Sequence, residues 1–314
     1  MSKNKVAVKL FPIIAIFSLT LVFAPLSAAH AQAANQGSNP NGNKSPQSAS
    51  DAPRKVFMPL ISAGQTAGSS PSDPPAPTQP PSGQPVPTGP TGSWTLKFSD
   101  EFNGSSLDTS KWQPNWLGGS NTTVTKPING SEASCYDPAQ TSLSGGSLKL
   151  SAVSRSCNGY GYASGIVTTH GHFTFTYGYM EARMWLDGSA SVKNWPAFWA
   201  DGTGTWPTTG EIDVMEGLGG SPAWHFHWGS SGSPQQTGGT PSMSTKTGWH
   251  VFGADWEPGS IKFYYDGKLV GTASQGVTSA PMFLILNYGV SSSISGPIQV
   301  PSNLLIDYVR FWQH

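Results

Sequence analysis

From about residue 94 to the C-terminus, apolar and polar residues alternate in short runs separated by Gly, Pro, Asn and Ser. Residues 147–152, 171–177, 179–185 and 260–265 follow the two-residue period of a half-buried strand, the last closing on the turn pair Asp266-Gly267. Residues 304–311 (Leu-Leu-Ile-Asp-Tyr-Val-Arg-Phe) predict a final strand. No long stretch carries the 3.6-residue period of an amphipathic helix. Many short strands joined by Gly- and Pro-rich turns predict an all-β fold, a two-sheet sandwich or jelly roll. Residues 93–314, about 220 in all, suffice for one substantial core, and no internal repeat divides them.

Upstream the pattern differs. Lys3, Lys5 and Lys9 flank the start of an apolar run from Leu10 to about Ala24, and Ala29-His30-Ala31 supplies a small-x-small cleavage site. Residues 1–31 read as a secretory signal peptide, with an apolar core too short to span a bilayer comfortably. An uncleaved membrane anchor is the competing reading. No later segment approaches about 18 unbroken apolar residues, so the mature protein is expected to be secreted, extracellular and off the membrane after signal cleavage. Residues 32–92 are rich in Pro, Ser, Gly, Asn and Gln and read as a disordered, partly polyproline linker. The apolar island Val56-Phe57-Met58-Pro59-Leu60-Ile61 interrupts it.

Only 11% of the chain is charged and the formal net charge is zero. There is no basic stripe, which speaks against a nucleic-acid partner. Low charge with abundant Gly, Ser, Thr and aromatics suits a secreted β protein with a neutral partner, and a polysaccharide meets that description. Cys135 and Cys157 are expected to pair in an oxidising compartment, adding about 3 kcal/mol in the loop-entropy model. Two free buried thiols are the alternative; two thiols are too few for a metal site.

Against that sparse charge, Glu211-Ile212-Asp213-Val214-Met215-Glu216 puts three carboxylates in six residues. In a regular strand Glu211 and Asp213 share a face and Glu216 points the other way. A one-residue β-bulge near Val214-Met215 returns Glu216 to its partners. The bulged path covers about 13 Å, and two glutamates leaning together leave their carboxyls about 5–6 Å apart, the spacing of a retaining glycosidase pair. A solvated acidic face is the plainer reading. Chemistry explains the cluster better. Glycoside hydrolysis needs one ionised and one protonated carboxyl at the same pH, and crowding carboxylates raises the pKa of one of them. Asp213, between the glutamates, is placed to hold or share a proton.

Trp195-Pro196-Ala197-Phe198-Trp199 and Trp206 lie just upstream, and aromatic faces stack on pyranose rings; burial in the core is the competing reading. On residues 179–185, Glu181 and Arg183 share a face with Tyr179 and Trp185, either lining a substrate groove or facing solvent. His225 and His227 share another face. They suit a two-histidine metal site lacking an evident third ligand, a hydrogen bond to a sugar or an acid, or a structural role.

Taken together, these residues resemble glycoside hydrolase family 16, in its laminarinase-like branch, which has the extra residue in Glu211-Ile212-Asp213-Val214-Met215-Glu216 that the lichenase-like branch lacks. Matching pieces occur in the family's order: Phe98-Ser99-Asp100-Glu101-Phe102-Asn103-Gly104, Tyr177-Gly178-Tyr179-Met180-Glu181-Ala182-Arg183, Trp195-Pro196-Ala197-Phe198-Trp199 and Phe263-Tyr264-Tyr265-Asp266-Gly267. Leu284-Ile285-Leu286-Asn287 and Ile306-Asp307-Tyr308-Val309-Arg310 complete the series. The resemblance covers about residues 94–314. It implies a β-jelly-roll (concanavalin A-like) sandwich with a concave cleft, and retaining, endo-acting hydrolysis of β-linked glycans by a monomer. Glu211 then corresponds to the nucleophile, Glu216 to the general acid/base and Asp213 to their assistant. Glu181, Arg183, Trp195, Trp199, Trp206 and His227 are the expected sugar contacts. No cofactor is implied for catalysis. A structural Ca²⁺ is implied, held by the Asp307 carboxylate and backbone oxygens near Glu101 and Gly146. Residues 288–293 and 134–137 depart from the family pattern. The resemblance therefore implies β-1,3-glucan first, then another β-glycan (galactan or mixed-linkage glucan) or transglycosylation, and last a non-catalytic lectin.

Overall fold

The computed structural model describes residues 85–314. The expected signal peptide, residues 32–84 of the expected linker and the apolar island 56–61 lie outside the described residues. Sixteen strands occur among those described: β1 (Thr95–Asp100), β2 (Ser134–Tyr136), β3 (Thr141–Ser144), β4 (Ser147–Cys157), β5 (Tyr160–Ser164), β6 (Ile166–Thr168), β7 (Gly178–Leu186), β8 (Trp195–Gly202), β9 (Glu211–Leu218), β10 (Ser221–Ser230), β11 (Ser233–Gly239), β12 (Gly248–Glu257), β13 (Ser260–Tyr265), β14 (Lys268–Ala273), β15 (Met282–Gly289) and β16 (Ser302–Gln313). A 3-10 turn at Pro138–Gln140 accompanies them. Among the described residues no helix is long and apolar enough to cross a membrane.

The strands form the expected two-sheet jelly roll. The larger sheet runs β14-β13-β12-β7-β16-β4-β5-β2, with β1 on β16 and β3 on β4; the smaller runs β11-β10-β9-β8-β15-β6. Alternation decides which side chains lie between the sheets. Met180, Ala182 and Met184 of β7 join Phe252, Ala254 and Trp256 of β12 in one buried cluster with Phe198 and Ala200 of β8, Ile212 of β9 and Phe226 of β10. The other face of β8, β9 and β10 is thereby free to carry polar groups. Cys135 and Cys157 are joined, tying β2 to the end of β4 with a Cα–Cα distance of 5.8 Å.

Two expectations change. Residues 171–177 are not a strand; among them Phe175 makes an isolated bridge to Met282. The Thr169 carbonyl accepts from both His172 N and Phe173 N, curling the chain into a turn. The alternating aromatics serve packing instead, Phe173 stacking on Phe98 and Phe175 meeting Phe311. The second change is at the linker boundary, because residues 85–92 already lie against the larger sheet. Trp312 Nε1 donates to the Pro85 carbonyl, Tyr179 Oη to the Thr88 carbonyl, and Thr88 N to Glu181 Oε2. Main-chain polar groups dock this stretch, so its composition carries no sign of it.

Candidate active site

The bulge is where parity requires it. Toward β8, Asp213 pairs with Trp199 and Met215 with Phe198, so Val214 has no opposite residue; toward β10, Asp213 pairs with His225 and Glu216 with Ala223. Val214 and Met215 both enter the core, fully buried. Glu216 therefore returns to the face of Glu211 and Asp213. Tyr265, from the opposite sheet, donates its hydroxyl to the Val214 carbonyl at 3.1 Å and ties the bulge down. Across the three strands the outer face reads as rungs: Asp201-Glu211-His227, Trp199-Asp213-His225 and Ala197-Glu216-Ala223.

Each acid meets a histidine. Glu216 Oε2 lies 3.0 Å from His225 Nδ1, and its Oε1 accepts from Trp195 Nε1 at 3.1 Å. His227 Nε2 stands 3.2 Å from Asp213 Oδ2 and 3.7 Å from Glu211 Oε1. Burial, then the Asp213 charge, pushes the Glu211 carboxyl well above the usual carboxylate range. Burial, then the Glu216 charge, does the same to Asp213. Carboxyls packed this way do not all ionise together, so the cluster holds a proton at pH values where isolated acids have lost theirs. That is what general acid catalysis needs. Glu211, Asp213 and His227, and likewise Asp213, Glu216 and His225, bring one donor atom each within 4.8 Å of one another. Each cluster holds one histidine and two carboxylates, so the two histidines do not share a set of donors as the two-histidine reading expected.

Of the expected sugar contacts, Trp195 and His227 touch the acids, and Trp206 lies 6.2 Å from His227, ring to ring. Trp199 flanks Asp213, stacks on Trp116 and donates its Nε1 to Asn287 Oδ1. Asn287 Nδ2 donates in turn to Tyr136 Oη, and Tyr136 to Glu132, a buried chain behind the site that the sequence reading lacked. The two segments that depart from the family pattern meet here, Val290 N donating to Ser134 Oγ.

Glu181 and Arg183 are not brought to the acids. Met180, Ala182 and Met184 take the core side of β7, which leaves Glu181 and Arg183 on the far face of the larger sheet. Glu181 is fully buried and accepts from Tyr179, Tyr308 and Thr88. Arg183 holds Asp307 at 2.7 Å and lies over the Trp249 ring. Of the expected cation ligands, Glu101 gives its carboxylate oxygens to Arg310, and Asp307 Oδ2 accepts from Arg183. A carboxylate and main-chain oxygens are hard donors of the kind Ca²⁺ takes, while the Arg183 guanidinium already occupies one oxygen of the Asp307 carboxylate. Asp201 was also missed, although its place two residues after Trp199 puts it on the site face.

The sequence pattern of Glycosyl hydrolases family 16 matches residues 130–292. The chain is 30% identical over 260 residues to glucan endo-1,3-beta-glucosidase A1 of Niallia circulans, covering 69% of this chain and 38% of that protein. It is 31% identical over 247 residues to keratan-sulfate endo-1,4-beta-galactosidase of Sphingobacterium multivorum, covering 71% of this chain and 56% of that protein. Both relatives are thus considerably longer than the part this chain spans. The catalytic domain of an endo-1,3-beta-glucanase (laminarinase) from Thermotoga petrophila RKU-1 superposes with a TM-score of 0.60 at 27% identity, over 71% of this chain and 99% of that one. The chain belongs to glycosyl hydrolase family 16.

Proposed function

We propose that the protein is an exported, monomeric, retaining endo-glycosidase that hydrolyses β-linked polysaccharide, with β-1,3-glucan as the leading substrate. The observation that carries this is the Val214 bulge, which gathers Glu211, Asp213 and Glu216 on one face with two histidines and Trp195. In the first step Glu211 attacks the anomeric carbon while Glu216 gives its proton to the departing glycosidic oxygen, leaving a glycosyl ester on Glu211. In the second, Glu216 takes a proton from water, whose oxygen displaces Glu211 and restores the starting β-configuration. Asp213 holds or shares a proton between them. The similarity to a keratan-sulfate endo-1,4-beta-galactosidase keeps a β-galactan as the second reading. Reducing-end release over a panel of β-1,3-glucan, mixed-linkage glucan and β-galactan, with product sizes followed, separates the two readings and reveals transglycosylation as lengthened products. Binding without release on every glycan would leave a lectin.

A Ca²⁺ at Asp307 and the backbone near Glu101 and Gly146 belongs to the same reading, as a brace for the larger sheet and outside the reaction. Chelation is therefore expected to lower Tm while leaving kcat per folded molecule unchanged. Differential scanning calorimetry and initial rates with and without chelator check it; an unchanged Tm counts against the ion.

A further inference from the structure

A fourth carboxyl, from Asp201, stands beside the three acids. On β8 it shares the face of Trp195, Ala197 and Trp199, and its partner across the ladder is Glu211. It is 7% exposed, and its Oδ1 is sealed from solvent with no hydrogen-bond partner among the described residues. On its other flank the β15 partner is Phe283, whose ring meets His170 edge-on. Its neighbours across the ladder are thus an acid and a phenyl ring, and neither supplies the missing hydrogen bond. An unpaired buried acceptor is destabilising, and its position points to what relieves that cost. Neighbouring strands lie about 4.8 Å apart, and a pyranose with its hydroxyls is wider than that. A sugar seated over Glu211 therefore reaches across the rung to Asp201 on one side and His227 on the other.

We propose that Asp201 is a substrate-binding, specificity-determining residue, its carboxyl pairing with a hydroxyl of the glycosyl unit seated over Glu211. The inference rests on the reading of this face as a glycosidase centre. It deepens that reading by naming the class of sugar unit: one with a free hydroxyl on the β8 side and no charge there. A sulfate or uronate group at the same place would have to shed its water beside the buried carboxyls of Asp201, Glu211 and Asp213, and an anion buried among acids is disfavoured. A site built around a hydroxyl discriminates strongly against a unit that lacks it, because the buried carboxyl is then left unpaired.

The test uses the full chain with laminarin and laminari-oligosaccharides as probes. Asp201→Ala is expected to lower kcat/KM on laminarin by about 10–100-fold, with the loss carried chiefly by KM. Asp201→Asn, which keeps an oxygen acceptor and adds a donor, is expected to retain most of the wild-type value. In a Glu216→Gln background, where turnover no longer consumes the probe, adding Asp201→Ala is expected to weaken oligosaccharide binding by about tenfold or more in calorimetry. Should the alanine variant fail to fold, Asp201→Leu, of similar volume and without polar atoms, takes its place in both assays. Wild-type-like kcat/KM and binding in the alanine or leucine variant would overturn the proposal. Equal losses in the alanine and asparagine variants, carried by kcat with KM and oligosaccharide binding unchanged, would overturn it too, assigning Asp201 to the proton affinity of Glu211. A wild-type chain inactive on every glycan tested would sink the glycosidase reading itself, a different result from either.

Discussion

Glu216 and Glu211 sit in unlike surroundings, and the difference matches their proposed roles. Glu216 is held at both oxygens, by Trp195 Nε1 and His225 Nδ1, as suits a group that must deliver a proton along a fixed direction. Glu211 has His227 at 3.7 Å, beyond hydrogen-bond reach. Burial and the Asp213 charge favour its neutral form, so its role as nucleophile requires that Asp213 or Glu216 hold the cluster's proton when substrate is bound. Glu211→Ala is expected to abolish turnover, and added azide to restore it by occupying the space of the lost carboxylate. The product is then the inverted α-glycosyl azide, which NMR identifies. Near-normal activity in this variant would remove Glu211 from its role. Glu216→Ala is expected to cost about 10²–10⁴-fold on natural glycan and much less on an aryl glycoside whose leaving group needs no proton. Equal losses on the two substrates, measured as kcat/KM, would count against Glu216 as the acid.

At the scale of the strand, the bulge makes an unusual prediction. Deleting Val214 leaves Glu-Ile-Asp-Met-Glu, in which the last glutamate is again an even number of residues from the first. A regular strand then keeps all three acids on one face. The deletion is therefore expected to retain turnover above the level of Glu216→Ala, while losing a fully buried valine worth about 1.5–3 kcal/mol. Rates beside those of Glu216→Ala, and Tm by calorimetry, check both parts; activity at or below the Glu216→Ala level would mean that the bulge itself sets the geometry. The same local rule explains what the sequence could reveal. Period-two alternation is written in neighbouring residues, so the out-of-phase Glu216, the shared face of Glu181 and Arg183, and the side of Trp195 and Trp199 were all legible. Which sheet a face belongs to depends on long-range pairing, and β7 lies between β12 and β16, far from Glu211. That is why Glu181 and Arg183 were assigned to a sugar cleft and lie on the opposite sheet. Residues 171–177 misled because alternating aromatics also suit a turn that packs its rings sideways. The docking of residues 85–92 left no trace because main-chain groups carry it.

Across the domain, the buried titratable groups shift in one direction, and stability must follow. Burial takes the Glu132 carboxyl from 4.5 to about 7, overcoming the hydrogen bonds from Tyr136 and two main-chain amides. Burial also takes Asp201 to about 7 and raises Glu181, Glu211 and Asp213. For His225 burial favours the neutral ring, but the Glu216 hydrogen bond and charge outweigh it and the pKa rises. Between its unfolded and its raised folded pKa, each of these groups binds more protons folded than unfolded, so each loses stability as pH climbs through that interval. Asp108 and Asp266 are lowered, by hydrogen bonds from Ser110 in the first case and, against burial, by those from His250 and Val251 in the second. Their opposite contribution is complete once the pH exceeds the unfolded Asp value of about 3.9. Burial lowers His170, whose contribution therefore grows with pH up to its unfolded value of about 6.5. From about pH 5 to 8 it opposes the raised acids and His225, which outnumber it, and Tm is expected to fall over that range. Glu132 alone contributes a few kcal/mol, at about 1.4 kcal/mol per pKa unit. Glu132→Gln, which keeps an oxygen for the Ile128 and Asn129 amides, is expected to flatten part of the slope and to exceed the wild type in Tm above pH 7. Calorimetric scans of both proteins at half-unit steps decide it, and a wild-type Tm that climbs from pH 5 to 8 would show that these buried acids ionise without penalty.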